Sequence, residues 1–196
     1  MKTYRVAAIP GDGIGNEVIP AGIEVLEALA PKAGFGLAFE HFDWSSARYK
    51  KTGAYIPEGG LAKLQAFDAV FFGAVGAPDV PDHVSLWGLR LPICQGFDQY
   101  ANVRPSRVLP GVTSPLANGK DIDWVIIREN TEGEYSGSGG RVHRGLPEEV
   151  ATETSVFTRV GVERIHRFAF ELARKRPRKL LTLVTKSNAQ RHGMVL

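Results

Sequence analysis

Four side chains in this sequence could together handle a small acid: Arg104, Arg128, Tyr135 and Lys186. A guanidinium presents a planar fork that matches a carboxylate, so two of them on neighbouring strands would clamp a dicarboxylate. Arg104 stands in Asn102-Val103-Arg104-Pro105, and Arg128 closes the apolar run Trp124-Val125-Ile126-Ile127. The alternative for both is a structural ion pair, with Asp98 and Glu132 among the possible partners. Lys186 follows an apolar run and opens a helical pattern. A lysine near arginines and partly out of water releases its proton more readily, which suits a general base. A lysine at such a place can equally be plain surface. Tyr135 completes the set as an acid.

These groups need elements that hold them. Residues 123–136 begin as a short buried strand and pass directly into Arg128, Glu129, Glu132, Glu134 and Tyr135. Gly137, Gly139 and Gly140 then read as a glycine-rich turn. Active sites of α/β proteins are built at such strand ends; a solvated salt-bridge cluster is the competing interpretation. Gly11-Asp12-Gly13-Ile14-Gly15 lies between a strand and a helix, the context of a phosphate-cradling loop. Its spacing is not that of the dinucleotide fingerprint, and only Glu40 or Asp43 loosely matches the acidic residue expected about 20 positions on. A tight strand-to-helix turn would need the same glycines. A second small-residue loop, Gly73-Ala74-Val75-Gly76-Ala77-Pro78, either admits a ligand close to the backbone or simply turns the chain.

The flanking pattern is that of an open α/β sheet. A first strand spans Arg5 to Ile9, broken by Pro10. A helix from Asn16 carries the stripe Ile19, Ile23, Leu26 and Ala30. A strand follows from Gly36 to Phe42, then a short helix from Pro57 to Gln65 with Leu61 and Leu64 inward. The wholly apolar Ala69 to Gly73 fits a parallel sheet covered on both faces. Beyond the loop from Gly76 to Pro81, residues 83–100 read as helix in pieces, interrupted by Pro92 and Gly96. Strands are expected over 102–109 and 124–128, and a strand or hairpin arm over 150–159. The helix from Gly161 to Arg176 has Val162, Ile165, Phe168, Ala169 and Leu172 on one side and is stopped by Pro177. Leu180 to Thr185 reads as a buried strand leading into another helix. The sequence ends inside that helix, so a fragment of a longer domain is expected.

Composition sets outer limits. The 196 residues are 43% hydrophobic and 23% charged, an ordinary globular balance that allows one full core or two modest ones. No apolar run approaches the roughly 20 residues that cross a bilayer, and the N-terminus has no signal-peptide core. A single cysteine, Cys94, leaves no internal disulfide and no thiolate-rich metal site, so a reducing cytoplasm is expected. A formal charge of +3 does not argue for nucleic acid. The cluster Arg164, Arg167, Arg174, Lys175, Arg176, Arg178 and Lys179 reads as a solvated helix face and C-terminal cap, without aromatic residues interleaved for stacking.

Five blocks taken together resemble the isocitrate/isopropylmalate dehydrogenase family of β-decarboxylating 2-hydroxyacid dehydrogenases. They are Ile9-Pro10-Gly11-Asp12-Gly13-Ile14-Gly15, Gly73-Ala74-Val75-Gly76, Asn102-Val103-Arg104-Pro105, residues 128–135, and Thr185-Lys186-Ser187-Asn188. Val80-Pro81-Asp82-His83, Leu86-Trp87-Gly88 and Phe97-Asp98-Gln99-Tyr100 look most like the tartrate/D-malate dehydrogenase branch. The resemblance implies a three-layer α/β/α sandwich of isopropylmalate dehydrogenase type, with two domains around a cleft. Residues 1–100 would belong to the cofactor-side domain and 101–196 to the substrate and dimerisation domain. It implies NAD and a divalent Mg²⁺ or Mn²⁺ as cofactors. Arg104 and Arg128 would bind substrate carboxylates, and Tyr135 would protonate the enolate left by carbon dioxide. Lys186, supplied across a homodimer, would assist removal of the C2 hydroxyl proton. Ile14, Gly73, Ala74, Val75, Gly76 and Asn188 would lie near the cofactor.

Two departures from the family pattern matter. Cys94-Gln95-Gly96 stands where the family usually has an arginine, and Arg90, one helical turn earlier, would have to reach the same carboxylate. The metal-binding aspartates and the adenine-binding loop are expected downstream of Leu196, so no metal ligand is assigned within these residues. The expected reaction is oxidative decarboxylation of a small 2-hydroxy dicarboxylic acid of D-malate or tartrate type. Isopropylmalate or homoisocitrate is the alternative, its γ-group meeting residues between Leu89 and Ile93. A catalytically dead remnant that only dimerises or binds ligand is a further alternative, and a nucleic-acid-binding module the last.

Overall fold

A computed structural model describes residues 1–119 and 122–193. The chain divides into two units, the first Met1–Phe97 and the second beginning at Asp98.

The first unit is built on a parallel three-stranded sheet, ordered β2-β1-β3. β1 (Thr3–Gly11) is central, β2 (Gly36–His41) lies on one side and β3 (Ala69–Ala74) on the other. β1 does not stop before Pro10, as the sequence suggested, but runs through it. Lys2 and Ala8 offer their carbonyls to Gly36 and Phe42 on the β2 side, so Pro10, in the same alternation, also faces that side. β2 has ended by then, its last pairing being Ala8 with His41, and a residue without an N–H costs no ladder bond there. α1 (Gly15–Leu29) connects β1 to β2 with Ile19 buried, as its stripe predicts. Two short helices, α2 (Ser46–Thr52) and α3 (Gly60–Leu64), connect β2 to β3.

The sequence reading missed α2, although its punctuation is there. The Ser45 hydroxyl caps it by accepting from the Arg48 N–H, Lys50 and Lys51 occupy its last turn, and Gly53 ends it in the left-handed region. The core of this unit collects Ala7, Ile9, Phe42, Trp44, Tyr55, Leu64, Leu89 and Ile93. Phe42 packs edge-on against Trp44 at 5.0 Å between ring centroids. β3, expected to be covered on both faces, is half-buried along most of its length. The pieces expected over 83–100 are α4 (Asp82–Ser85), a π-helical turn (Leu86–Arg90) and α5 (Leu91–Gly96). Gly88 of the π turn lies directly against the Tyr55 ring.

The second unit contains two antiparallel pairs and a helix. β4 (Ala101–Arg107) pairs with β5 (Asp123–Glu129), and β6 (Gly133–Val142) pairs with β7 (Val150–Val156). β5 is not the fully buried strand its apolar run suggested. α6 (Arg159–Lys175) packs against β5, yet Trp124 remains 53% exposed and Ile126 49%. The predicted turn at Gly137–Gly140 is instead the middle of β6. A side chain at Gly139 would strike the Thr152 carbonyl of β7, so the glycine serves close strand approach. Thr158 caps α6 by accepting from Gly161, and Ala169 and Ala173 are its buried face, with Arg174 and Lys175 in the last turn. Residues 180–185 do not form the predicted buried strand: Leu180, Leu183 and Val184 are exposed, at 61%, 64% and 89%. A strand exists only through a hydrogen-bonded neighbour, and among the described residues none pairs with this run. The helix expected after it is a single 3₁₀ turn, Ser187–Ala189.

Candidate functional site

The register of β4 and β5 decides where the two arginines go. Asn102 is opposite Arg128 and Arg104 is opposite Ile126, so Arg104 and Arg128 share one face of the pair as diagonal neighbours. Such diagonals are roughly 7–8 Å apart at the backbone, a distance two long side chains readily close. Arg128 is half-buried and Arg104 exposed.

Arg128 is positioned with care. One terminal nitrogen donates to the Tyr135 hydroxyl oxygen at 3.1 Å and the other to Asn130 Oδ1 at 3.1 Å. The guanidinium also lies over the Tyr135 ring, 5.0 Å from its centroid. Its Nε is buried and has no hydrogen-bond partner. No carboxylate forms a salt bridge with Arg128 or Arg104 among the described residues. The two acids that sequence offered as their partners are engaged elsewhere. Asp98 takes both oxygens to Arg164, at 2.8 and 3.0 Å, and Glu132 receives the N–H and hydroxyl of Thr158 at the start of α6. A half-buried cation with an unmet N–H and no counter-charge is unusual, and an anionic guest is what would complete it.

The remaining acids of the motif are scaffolding. Glu129 accepts from the backbone N–H groups of Thr131 and Glu132, at 2.8 and 2.7 Å, and so fixes the turn between β5 and β6. Glu134 binds the Ser155 hydroxyl across the β6–β7 pair. Arg164 bonds Thr131 as well as Asp98 and lies over the Tyr100 ring, and Arg176 pairs with Asp123. Those two members of the basic cluster are therefore committed internally. Sequence reasoning missed Asn130, which is 3% exposed. It joins Arg128, Asn102 and the Gln99 carbonyl through its one amide. Its only sequence signal is its place directly after the arginine's strand.

Lys186 is exposed, at the start of the 3₁₀ turn. Asn188 is exposed on the same turn. Arg90 belongs to the first unit, half-buried at the end of the π turn. Of the stretch between Leu89 and Ile93, Leu89, Leu91 and Ile93 are buried.

Within the glycine loop, Asp12 N–H bonds the Ala74 carbonyl, Gly15 bonds Asp12, Asn16 bonds Gly13, and Glu17 and Val18 bond Ile14, so these five amides are spent internally. Gly11 has φ +73°, and a Cβ there would collide with the Ala74 carbonyl, which explains the residue by close approach of β3. Glu40 pairs with Arg5 and Lys63. What the loop does present is Ile14, 58% exposed, with open space beside Gly13 and Gly76. Gly73, Ala74, Val75 and Gly76 are half-buried next to it, tied by the bond from Gly76 N–H to Asp12. Farther along the same loop Asp79 bonds Lys50 of α2 at 2.8 Å, which holds the Asp79 carboxyl below its usual range and raises the Lys50 amine.

Among the described residues no three His, Cys, Asp or Glu side chains gather as a metal site, and no helix is long and apolar enough to cross a membrane.

Comparison with known proteins adds four findings. Residues 5–196 match the family described as isocitrate/isopropylmalate dehydrogenase. A probable tartrate dehydrogenase/decarboxylase of Agrobacterium vitis is 69% identical over all of this chain, which covers 56% of that protein. The D-malate dehydrogenase [decarboxylating] of Escherichia coli (strain K12) is 57% identical over 96% of the chain and 53% of its own length. The crystal structure of isocitrate dehydrogenase from Methylococcus capsulatus superposes with a TM-score of 0.80 at 32% identity, over 96% of this chain and 53% of that one. The chain thus spans about half the length of the relatives it matches.

Proposed function

We propose, from the premise that this chain belongs to the isocitrate/isopropylmalate dehydrogenase family, that the protein oxidatively decarboxylates a small 2-hydroxy dicarboxylic acid of D-malate or tartrate type. The names of the similar proteins from Agrobacterium vitis and Escherichia coli favour that substrate class over isopropylmalate or homoisocitrate. The observation that carries the proposal is Arg128: a half-buried guanidinium on the same strand-pair face as Arg104, bonded to Tyr135 and lacking any carboxylate partner.

In this reading Arg104 and Arg128 hold the substrate carboxylates, with Arg90 as a further contributor. Lys186 of a partner subunit in a homodimer takes the C2 hydroxyl proton as the C2 hydrogen leaves as hydride. Ile14 and Gly73 to Gly76, with Asn188, would hold NAD, which when bound would supply the hydride acceptor. Loss of carbon dioxide leaves an enolate whose carbon takes a proton from Tyr135. A guanidinium only donates, so the Tyr135 oxygen accepts from Arg128. The described residues do not assemble the Mg²⁺ or Mn²⁺ site, and no step here is routed through the metal. A cytoplasmic setting goes with this chemistry and with the lone thiol of Cys94.

The test is NAD reduction by the whole protein with D-malate or tartrate and Mn²⁺ or Mg²⁺. Turnover with these acids and none with isopropylmalate supports the proposal; no turnover with either acid rejects it.

A further inference from the structure

The site uses no part of the Asp12 carboxylate, yet this group is only 9% exposed. Burying a carboxylate is costly unless its lone pairs are filled, and here three donors from two distant segments fill them. Oδ1 accepts from the Ser46 N–H at 2.7 Å, and Oδ2 accepts from the Ser46 hydroxyl at 2.7 Å and from the Gly76 N–H at 2.9 Å. A carboxylate can only accept, so the Ser46 hydroxyl must donate to it. The Ser46 oxygen is then the acceptor for the Tyr55 hydroxyl, 2.7 Å away, and that ring is 2% exposed. Donation therefore runs one way, from Tyr55 to Ser46 to Asp12, with Gly76 converging from the other side.

The three segments joined are the β1–α1 loop, the first turn of α2 and the exit of β3. After Ala74 the chain has no regular structure until Asp82. Its Gly76 peptide is fixed by Asp12, and Asp12 N–H holds the Ala74 carbonyl just before it at 2.7 Å. The same loop is gripped farther on by the Lys50–Asp79 pair from α2.

We propose that Asp12 is a positioning residue: its carboxylate sets the place of the Gly76 peptide, and with it the surface that Ile14 and the β3-exit loop offer to the nicotinamide cofactor. This rests on the reading of that loop as the cofactor side of the site. It acts through the loop and touches neither substrate nor cofactor.

The experiment compares wild type and Asp12→Asn in the whole protein, by amide exchange at Gly76 and by separate KM values for NAD and for D-malate. An amide nitrogen in place of either oxygen faces a donor, so at least one bond is lost whichever way the group turns. We expect Gly76 exchange and the KM for NAD each to rise roughly tenfold, the scale of one charge-assisted hydrogen bond, with the KM for D-malate little changed. Ser46→Ala, which keeps the N–H donor and removes the hydroxyl, should shift both in the same direction by less, and decides the matter if Asp12→Asn does not fold. Unchanged Gly76 exchange in either folded variant overturns the proposal. So does faster exchange with an unaltered KM for NAD, or equal rises in both KM values. A wild-type protein with no NAD-dependent turnover would instead reject the proposed function, while Gly76 exchange still decides whether Asp12 clamps the loop.

Discussion

Tyr135 and Lys186 carry different steps in the proposed reaction, and single substitutions should separate them. Tyr135→Phe removes the proton given to the enolate and also the oxygen that accepts from Arg128 at 3.1 Å. It is expected to slow decarboxylation while leaving reduction of an oxo acid by NADH closer to wild type. Equal losses in the two assays would contradict the assigned role. Lys186→Ala should abolish the hydride step in both directions, since the C2 oxygen then has no base in oxidation and no acid in reduction. Retained oxo-acid reduction in that variant would move the proton to another group. Asn130 belongs beside these residues. Its amide fixes Arg128 to Asn102 and Gln99, so Asn130→Ala should raise the KM for the hydroxy acid more than it lowers kcat. A pure loss of kcat would mean that it does not act by placing the arginine.

Elements show how much of this was readable from residue types. β1, α1, β2 and β3 were legible because apolar runs and apolar periodicity are local properties of the sequence. α2 was not, being short, polar and secured by ties that sequence distance hides: Ser46 to Asp12, and Lys50 to Asp79. β6 looked like a turn because its glycines answer to β7, a partner encoded elsewhere. The run from Leu180 to Thr185 erred the other way, since apolar β-formers announce a strand but cannot supply its neighbour. Arg104 and Arg128 were found by residue type, whereas their shared face needed the register, and the engagement of Asp98 and Glu132 needed α6. Two element-scale predictions follow from these ties. Thr158→Ala removes the α6 cap and one Glu132 contact, and should cost about 1 kcal/mol in denaturant unfolding, as helix caps typically do; an unchanged midpoint would show the cap to be idle.

The Lys50–Asp79 tie is exposed and should be worth little, but its signs are fixed. The Asp79 carboxyl is depressed below 3.8 by the Lys50 hydrogen bond, so its contribution is present above 3.8 and fades as pH falls through the lower folded value. Lys50 is raised above 10.5 by the Asp79 hydrogen bond, so its contribution is full below 10.5 and fades as pH climbs through the higher folded value. The loop is thus held from α2 throughout the neutral range. In Lys50→Met the carboxyl resonance of Asp79 should titrate closer to 3.8 than in wild type; an unmoved midpoint would assign the shift to another cause.

At the scale of the whole molecule, the proposed function assigns the cofactor to the first unit and the acid to the second. The first unit exposes Ile14 beside the β3 exit, and the second holds a guanidinium beside a phenol with no carboxylate paired to it. The most direct measurement is the dissociation constant of D-malate for the whole protein, its Arg104→Ala and Arg128→Ala variants, and the double variant. If both arginines hold one dicarboxylate, each single substitution should weaken binding on the order of a hundredfold, and the double should fall short of the product because the sites couple through the ligand. D-malate binding that survives Arg128→Ala at wild-type strength would contradict the account at its centre.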